Sequence, residues 1–151
     1  MNAVDIVIVA VGKIQAPYLK EGITDYVKKL NRLARVTVVE INDEKEPERL
    51  SEAAIDLIKR TEGERILAKI PDDSYVIALA IEGKLLHSQR FANIIRSQIG
   101  KKPLVFLIGG SHGLSDQVMR RADESISFSR MTFPHQLMRL VLLEQLYRAL
   151  R

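Results

Sequence analysis

Apolar runs and stretches of helical period alternate along the chain. Asp5–Val11 (DIVIVAV) is short, apolar and β-branched and stops at Gly12, which predicts a buried strand. Pro17 opens a helical pattern to about Leu33, with Tyr18, Ile23, Tyr26, Val27 and Leu30 on one side. Val36–Ile41 predicts a second strand. Pro47 is expected to start another helix, carrying Leu50, Ala53, Ala54, Leu57 and Ile58. Tyr75–Ile81 and Leu104–Ile108 predict a third and a fourth strand, separated by a helix over Ser88–Ile99 with Phe91, Ile94 and Ile95 inward. A short helix near Ser115–Ala122 precedes a weaker strand, Ser125–Ser129, and Pro134 leads into a final helix.

Strands alternating with helices predict one α/β domain over residues 1–151, a parallel sheet with helices on both faces. The final helix is apolar around most of its circumference, from Leu137 through Leu143 and Leu146 to Leu150. A helix so broad must be covered on several sides, and a self-complementary homodimer surface is the expected cover. Enclosure within one subunit is the alternative.

Composition narrows the function classes. No apolar run approaches the ~18 residues that cross a bilayer, and no basic region precedes the first apolar stretch, so neither a membrane span nor a signal peptide is expected. The absence of cysteine excludes disulfides, thiolate nucleophiles and cysteine-bound metals, and suits a cytoplasmic protein. The net charge of +4 is unevenly spread: residues 1–35 carry +3, residues 36–75 carry −5 and residues 76–151 carry +6. A basic C-terminal half can attract a phosphate backbone, or be an ordinary solvated surface.

Candidate chemistry centres on Phe106–Gly113 (FLIGGSHG). Gly109-x-Ser111-x-Gly113 fits a hydrolase nucleophile elbow, with Asp123 or Glu124 and then His135 following in the required order. An oxyanion-hole motif of the His-Gly-Gly-Gly kind is lacking. His87, His112 and His135 show no paired ligand spacing, so no metal is expected. The glycines fit neither a P-loop nor a dinucleotide fingerprint. The other reading is a small-molecule pocket at three strand ends, Leu79–Gly83, Ile108–Gly113 and Phe128–Phe133. There Gly109 would admit a ligand to the backbone, and Gly109→Val would block the ligand without disturbing the fold; a tight turn without a ligand is the alternative for these glycines.

Four ordered segments carry a family resemblance: AVGK at Ala10–Lys13, IEGK at Ile81–Lys84 followed by SQRFA, FLIGGSHGLS at 106–115, and SFSRMTFPHQLMRLVLLEQLYRA at 127–149. Over nearly the whole chain the sequence resembles the SPOUT methyltransferases, and among them the single-domain ribosomal RNA large-subunit methyltransferase H family. The resemblance implies a deep trefoil knot in the C-terminal part. It implies a homodimer that binds S-adenosylmethionine in the knot and methylates N3 of a pseudouridine in large-subunit ribosomal RNA. Carried over by position, Leu79, Gly109, Phe128, Ser129, Arg130, Met131, Thr132 and Phe133 line the cofactor pocket, with Gly110 adjacent. Ser111 then becomes a loop residue.

The family's chains continue past the position of Arg151 to a Tyr-His pair thought to reach the active site, a segment the present sequence does not include. The expectation is that cofactor binding survives while methyl transfer is weak. A catalytically impaired cofactor- or RNA-binding module of the same fold is therefore the alternative function. His135 could take the proton of the base nitrogen, or brace the start of the last helix. Arg139 could bind a phosphate or pair with an acid, and Arg120, Arg121 and Arg130 could contact RNA.

Overall fold

Five short strands pair in parallel in the order β2-β1-β4-β3-β5. In the computed structural model, which describes residues 4–151, they are β1 (Asp5–Val11), β2 (Arg35–Ile41), β3 (Tyr75–Leu85), β4 (Leu104–Ile108) and β5 (Glu124–Ser127). The helices are α1 (Pro17–Leu30), α2 (Glu52–Leu67), α3 (Ser88–Gln98), α4 (Asp116–Arg121) and α5 (His135–Leu150). The predicted parallel α/β domain with helices on both faces is what forms.

The central strands read as continuous apolar runs because each feeds two cores. Along β1, Ile6, Ile8 and Ala10 enter one core while Val9 and Val11 enter the other. Leu104, Phe106 and Ile108 of β4 divide from Val105 and Leu107 in the same way. This is the period-2 side-chain alternation of a strand covered on both faces. Leu30 of α1, Phe91 and Ile95 of α3, and Leu142, Leu143 and Leu146 of α5 complete the first core. Ile66 of α2 and Val118 of α4 complete the second.

Element ends differ from expectation where side chains offer a better stop. The second helix begins at Glu52 rather than Pro47, because Ser51 Oγ accepts the Ala54 amide at 3.0 Å and so caps the first turn. The first helix ends at Leu30 rather than Leu33: Asn31 Oδ1 accepts the Val36 amide at 3.1 Å and turns the chain into β2. The last strand stops at Ser127, leaving Phe128 and Ser129 in the following loop.

The third strand is longer than predicted, because it pairs with β5 in two registers. Leu79 and Lys84 both face Ile126, so the intervening residues bulge outward. Gly83 closes the bulge. A Cβ there would lie 2.8 Å from backbone atoms of Ser125 and Ile126.

The broad apolar helix is sorted by the structure. Leu142, Leu143 and Leu146 are fully buried within the subunit, so they cannot form the outer face of a dimer. Leu137 and Val141, half-buried, lie on the opposite side of α5. Among the described residues no helix is long and apolar enough to cross a membrane.

Gly83→Ala should lower stability by about 2 kcal/mol, because a rigid backbone faces the added methyl and overpacking of this kind costs ~1–3 kcal/mol. Urea unfolding monitored by circular dichroism measures it. An unchanged midpoint would show that the β3–β5 contact has slack.

Candidate functional site

The register brings five strand ends to one edge of the sheet. Val11 pairs with Ile41, Ala10 with Ile108, Leu79 with Ile108, and Leu79 with Ile126. Loops leaving these ends build two adjoining clefts. In open α/β sheets this edge, where connections diverge to either side, is the favoured place for a ligand.

The first cleft, about 870 Å³, lies over β3, β4 and β5. Leu79 and Ile108 form its floor, and the loop Phe128–Phe133 its side wall. The Phe128 ring stacks edge-on against Phe91 at 5.3 Å, which pins this loop to α3 and leaves its backbone facing the cleft. Ser129 Oγ accepts the Met131 amide at 2.9 Å and tightens the turn. Among the described residues, no backbone–backbone hydrogen bond involves Phe128, Arg130, Met131, Thr132 or Phe133. Apart from the Met131 N–H, which Ser129 Oγ accepts, their peptide groups are free to meet a ligand. Met131 is 71% and Phe133 37% exposed, large apolar side chains standing at the rim without internal cover.

Of the residues expected at this site, Leu79, Gly109, Phe128, Ser129, Met131, Thr132, Phe133 and His135 line the cleft together. Arg130 stands at the lip instead, where its guanidinium donates to the Ile81 carbonyl and ties the loop to β3. Gly110 lines the cleft as well.

Gly109 requires a correction. A Cβ at this position would lie 2.7 and 2.8 Å from the carbonyl carbon and oxygen of Gly113. The glycine is demanded by the turn that folds back on itself, where Gly110 bridges Gly113, whether or not a ligand approaches it. Gly113 itself has φ +84°, in the left-handed region that favours glycine. A valine at Gly109 would deform the turn and could not leave the fold intact.

The second cleft, about 510 Å³, lies over β1 and β2 and is polar. The acidic loop after β2 and Lys13 form its outer side, and Glu62 of α2 its depth. Gly110, Ser111, His112 and His135 line both clefts and so form the wall between them. Glu62 is 4% exposed; its Oε2 accepts the Glu44 amide at 2.9 Å, while Oε1 has no partner. Burial pushes its carboxyl above the ordinary carboxylate range. Neither this residue nor the polar cleft was visible in the sequence; the only available hint was a glutamate on a position of α2 that helical period turns inward.

The three histidines take separate roles. His87 caps α3, its Nδ1 accepting the Arg90 amide at 3.4 Å. His112 Nε2 lies 2.7 Å from Glu46 Oε1, fastening the acidic loop to the glycine turn. His135 opens α5 and is half-buried at the junction of the clefts. Burial is the main cause, and the Arg139 charge the second, of a pKa below the usual 6.5. The imidazole is thus neutral, and able to accept a proton, at neutral pH.

Arg139 is an internal strut, not a phosphate site. It is 2% exposed, with Nη1 2.5 Å from Glu40 Oε2 and Nη2 donating to the Gly12 carbonyl at 3.1 Å. Glu40 Oε2 also accepts the Ile14 amide at 3.3 Å. The hydrolase arrangement fails on geometry. Asp123 and Glu124 stand at the start of β5 and bond the Val76 amide and the Tyr75 hydroxyl. They lie at the opposite end of the sheet from Ser111 and His135.

The His135 ring should titrate below 6.5 in a proton NMR series, and Arg139→Gln should move its midpoint upward only part of the way, because burial is the larger cause. Between the folded and unfolded pKa values the unfolded chain holds more protons. This residue's contribution therefore falls as the pH drops through 6.5 and levels off below the folded value. A midpoint at or above 6.5 contradicts the burial of the ring.

Comparison with known proteins agrees with this architecture. The model of the family described as "Predicted SPOUT methyltransferase" matches residues 4–151. A protein of Exiguobacterium sp. named "Ribosomal RNA large subunit methyltransferase H" is 57% identical over 149 residues, covering 97% of this chain and 94% of its own. One of the same name from Bacillus cytotoxicus is 56% identical over the same shares. A crystal structure titled as a probable methyltransferase from Bordetella pertussis Tohama I superposes with a TM-score of 0.56 at 9% identity, covering 98% of this chain and 95% of that one, a likeness of fold alone. The chain therefore belongs to the SPOUT methyltransferase family, among the proteins named ribosomal RNA large subunit methyltransferase H.

Proposed function

We propose that this protein transfers a methyl group from S-adenosylmethionine to N3 of a pseudouridine in large-subunit ribosomal RNA. The observation that carries the reading is the loop Phe128–Phe133. Its six residues make no backbone–backbone hydrogen bonds, and its uncovered Met131 and Phe133 stand at a cleft floored by Leu79 and Ile108. That surface fits a cofactor with a flat heteroaromatic base and an apolar sulfonium arm: peptide groups read the base edges, and apolar side chains cover its faces. The two close relatives named for ribosomal RNA methylation support the substrate class.

The cofactor, when bound, supplies an electrophilic methyl. This chain's residues supply position and a proton acceptor. The floor and the loop fix one reactant, the polar cleft across the Gly110–His112 wall receives the other, and holding both in line contributes much of the rate. An imide nitrogen must lose its proton to become nucleophilic. His135, neutral and at the junction, is placed to receive it on a ring nitrogen.

The reading extends to a trefoil-knotted C-terminal part. It is supported by the match of the family model to residues 4–151. It also extends to a homodimer, supported by the outward Leu137 and Val141 of α5, and to a cytoplasmic place of action with the ribosome.

Two measurements test this. Calorimetry should show one S-adenosylmethionine site per chain, and single-turnover reaction with ribosomes carrying the unmodified pseudouridine should place one methyl on N3 by mass spectrometry. Binding without any transfer would leave a cofactor-binding module instead of an enzyme. Sedimentation at micromolar concentration should show a dimer that Val141→Arg converts to monomer, because a charge in an apolar interface is costly. A parent that sediments only as monomer removes the dimer from the reading.

A further inference from the structure

An unpaired buried carboxylate oxygen is unusual enough to require a reason. Glu62 stands in the middle of α2, directed at the end of β1 and the turn after β4. Its Oε2 is committed to the Glu44 amide, and its Oε1 is left without a partner. A Cβ on Gly110 would lie 3.1 Å from Oε1, so this oxygen borders the wall shared by the two clefts. The neighbouring His112 makes no hydrogen bond to it, and its Nε2 lies against Glu46. The oxygen is a buried acceptor without a partner, beneath the polar cleft that Glu62 lines.

We propose that the polar cleft receives the target base and that Glu62 Oε1 accepts a hydrogen bond from its N1–H, making Glu62 a residue that selects pseudouridine over uridine. The inference rests on the functional reading given above and deepens it. Pseudouridine joins its sugar through C5, so its ring carries two N–H donors, N1 and N3, on either side of the C2 carbonyl. With N3 presented over the shared wall to the cofactor cleft, N1–H points away from N3 into the polar cleft. Uridine, seated with its sugar in the same place, offers only the C5 hydrogen there. A buried acceptor rejects an analogue that lacks the donor, because the acceptor is then left dry and unpaired. Burial already pushes this carboxyl upward, a cost that an incoming N–H relieves. Lys13 and Lys45 in the same cleft supply positive charge for base carbonyls or an adjoining phosphate.

The test compares single-turnover methylation of reconstituted ribosomal particles carrying pseudouridine, uridine or N1-methylpseudouridine at the target position. The parent chain should favour pseudouridine over both others by about two orders of magnitude or more. In Glu62→Gln, a carbonyl that keeps the Glu44 amide turns the NH2 group toward the cleft, so donor meets donor and the preference should collapse. S-adenosylmethionine affinity by calorimetry should stay within about twofold, since the cofactor cleft lacks this side chain. A parent that methylates N1-methylpseudouridine or uridine as fast as pseudouridine overturns the inference and leaves the methyltransferase reading standing. So does a folded, cofactor-binding Glu62→Gln that keeps the full preference. Should the variant fail to fold, the parent's three-substrate series decides alone. No transfer to any substrate despite cofactor binding defeats the functional reading, and this inference with it.

Discussion

A guanidinium at 2% exposure cannot stand without a counter-charge, and the pairing of Arg139 with Glu40 fixes much of what surrounds it. Arg139 lies one turn into α5, Glu40 at the end of β2, and the Gly12 carbonyl that Arg139 also holds follows β1. One side chain thereby fastens the last helix to the first two strand ends. The consequence is positional. His135, one turn before Arg139, is delivered to the junction of the clefts, and the loop leading to it becomes the wall of the larger one. The same charge helps hold the His135 imidazole neutral.

The two clefts differ in character because the strand order separates their lining. Over β3 and β5 the walls are apolar side chains and free peptide groups; over β1 and β2 they are carboxylates and ammonium groups. The Gly109–Gly113 turn, leaving the strand between them, must be thin to serve both. Its glycines allow the chain to double back at a spacing no Cβ would permit. A reaction joining two chemically unlike partners, a sulfonium cofactor and a polar base, needs such a pair of compartments with a narrow partition.

Much of this was legible in the sequence for a physical reason. Strands buried on both faces must be apolar at every position, so β1, β3 and β4 announced themselves and with them the parallel sheet. The cleft segments that begin at Leu79 and Phe128 were legible as strand ends, but their individual residues only through the ordered motifs, since such a loop has no periodicity of its own. Helix starts were misplaced where a cap decides: Ser51 stops the fraying that Pro47 alone cannot. Gly109 lines the cleft and also serves its own turn, and only the structure shows the second role, because sequence shows that a side chain is absent without showing what occupies the space.

Glu62 and Arg139 mark the limit of such reading. Each is a charged residue on an otherwise ordinary helix, and surface placement is the normal expectation for both types. Each leaves one buried atom without a partner, Nε of Arg139 and Oε1 of Glu62, and what separates them is place. Arg139 spends its two terminal nitrogens on Glu40 and Gly12 and acts as a strut, whereas Glu62 spends one oxygen on Glu44 and leaves the other at the partition. On the proposal made above, an unpartnered acceptor beside the wall shared by the clefts is where recognition of a donor belongs. On that proposal specificity resides on the helix behind the partition and cofactor binding on the loop in front of it, so that neither function has to be compromised to accommodate the other.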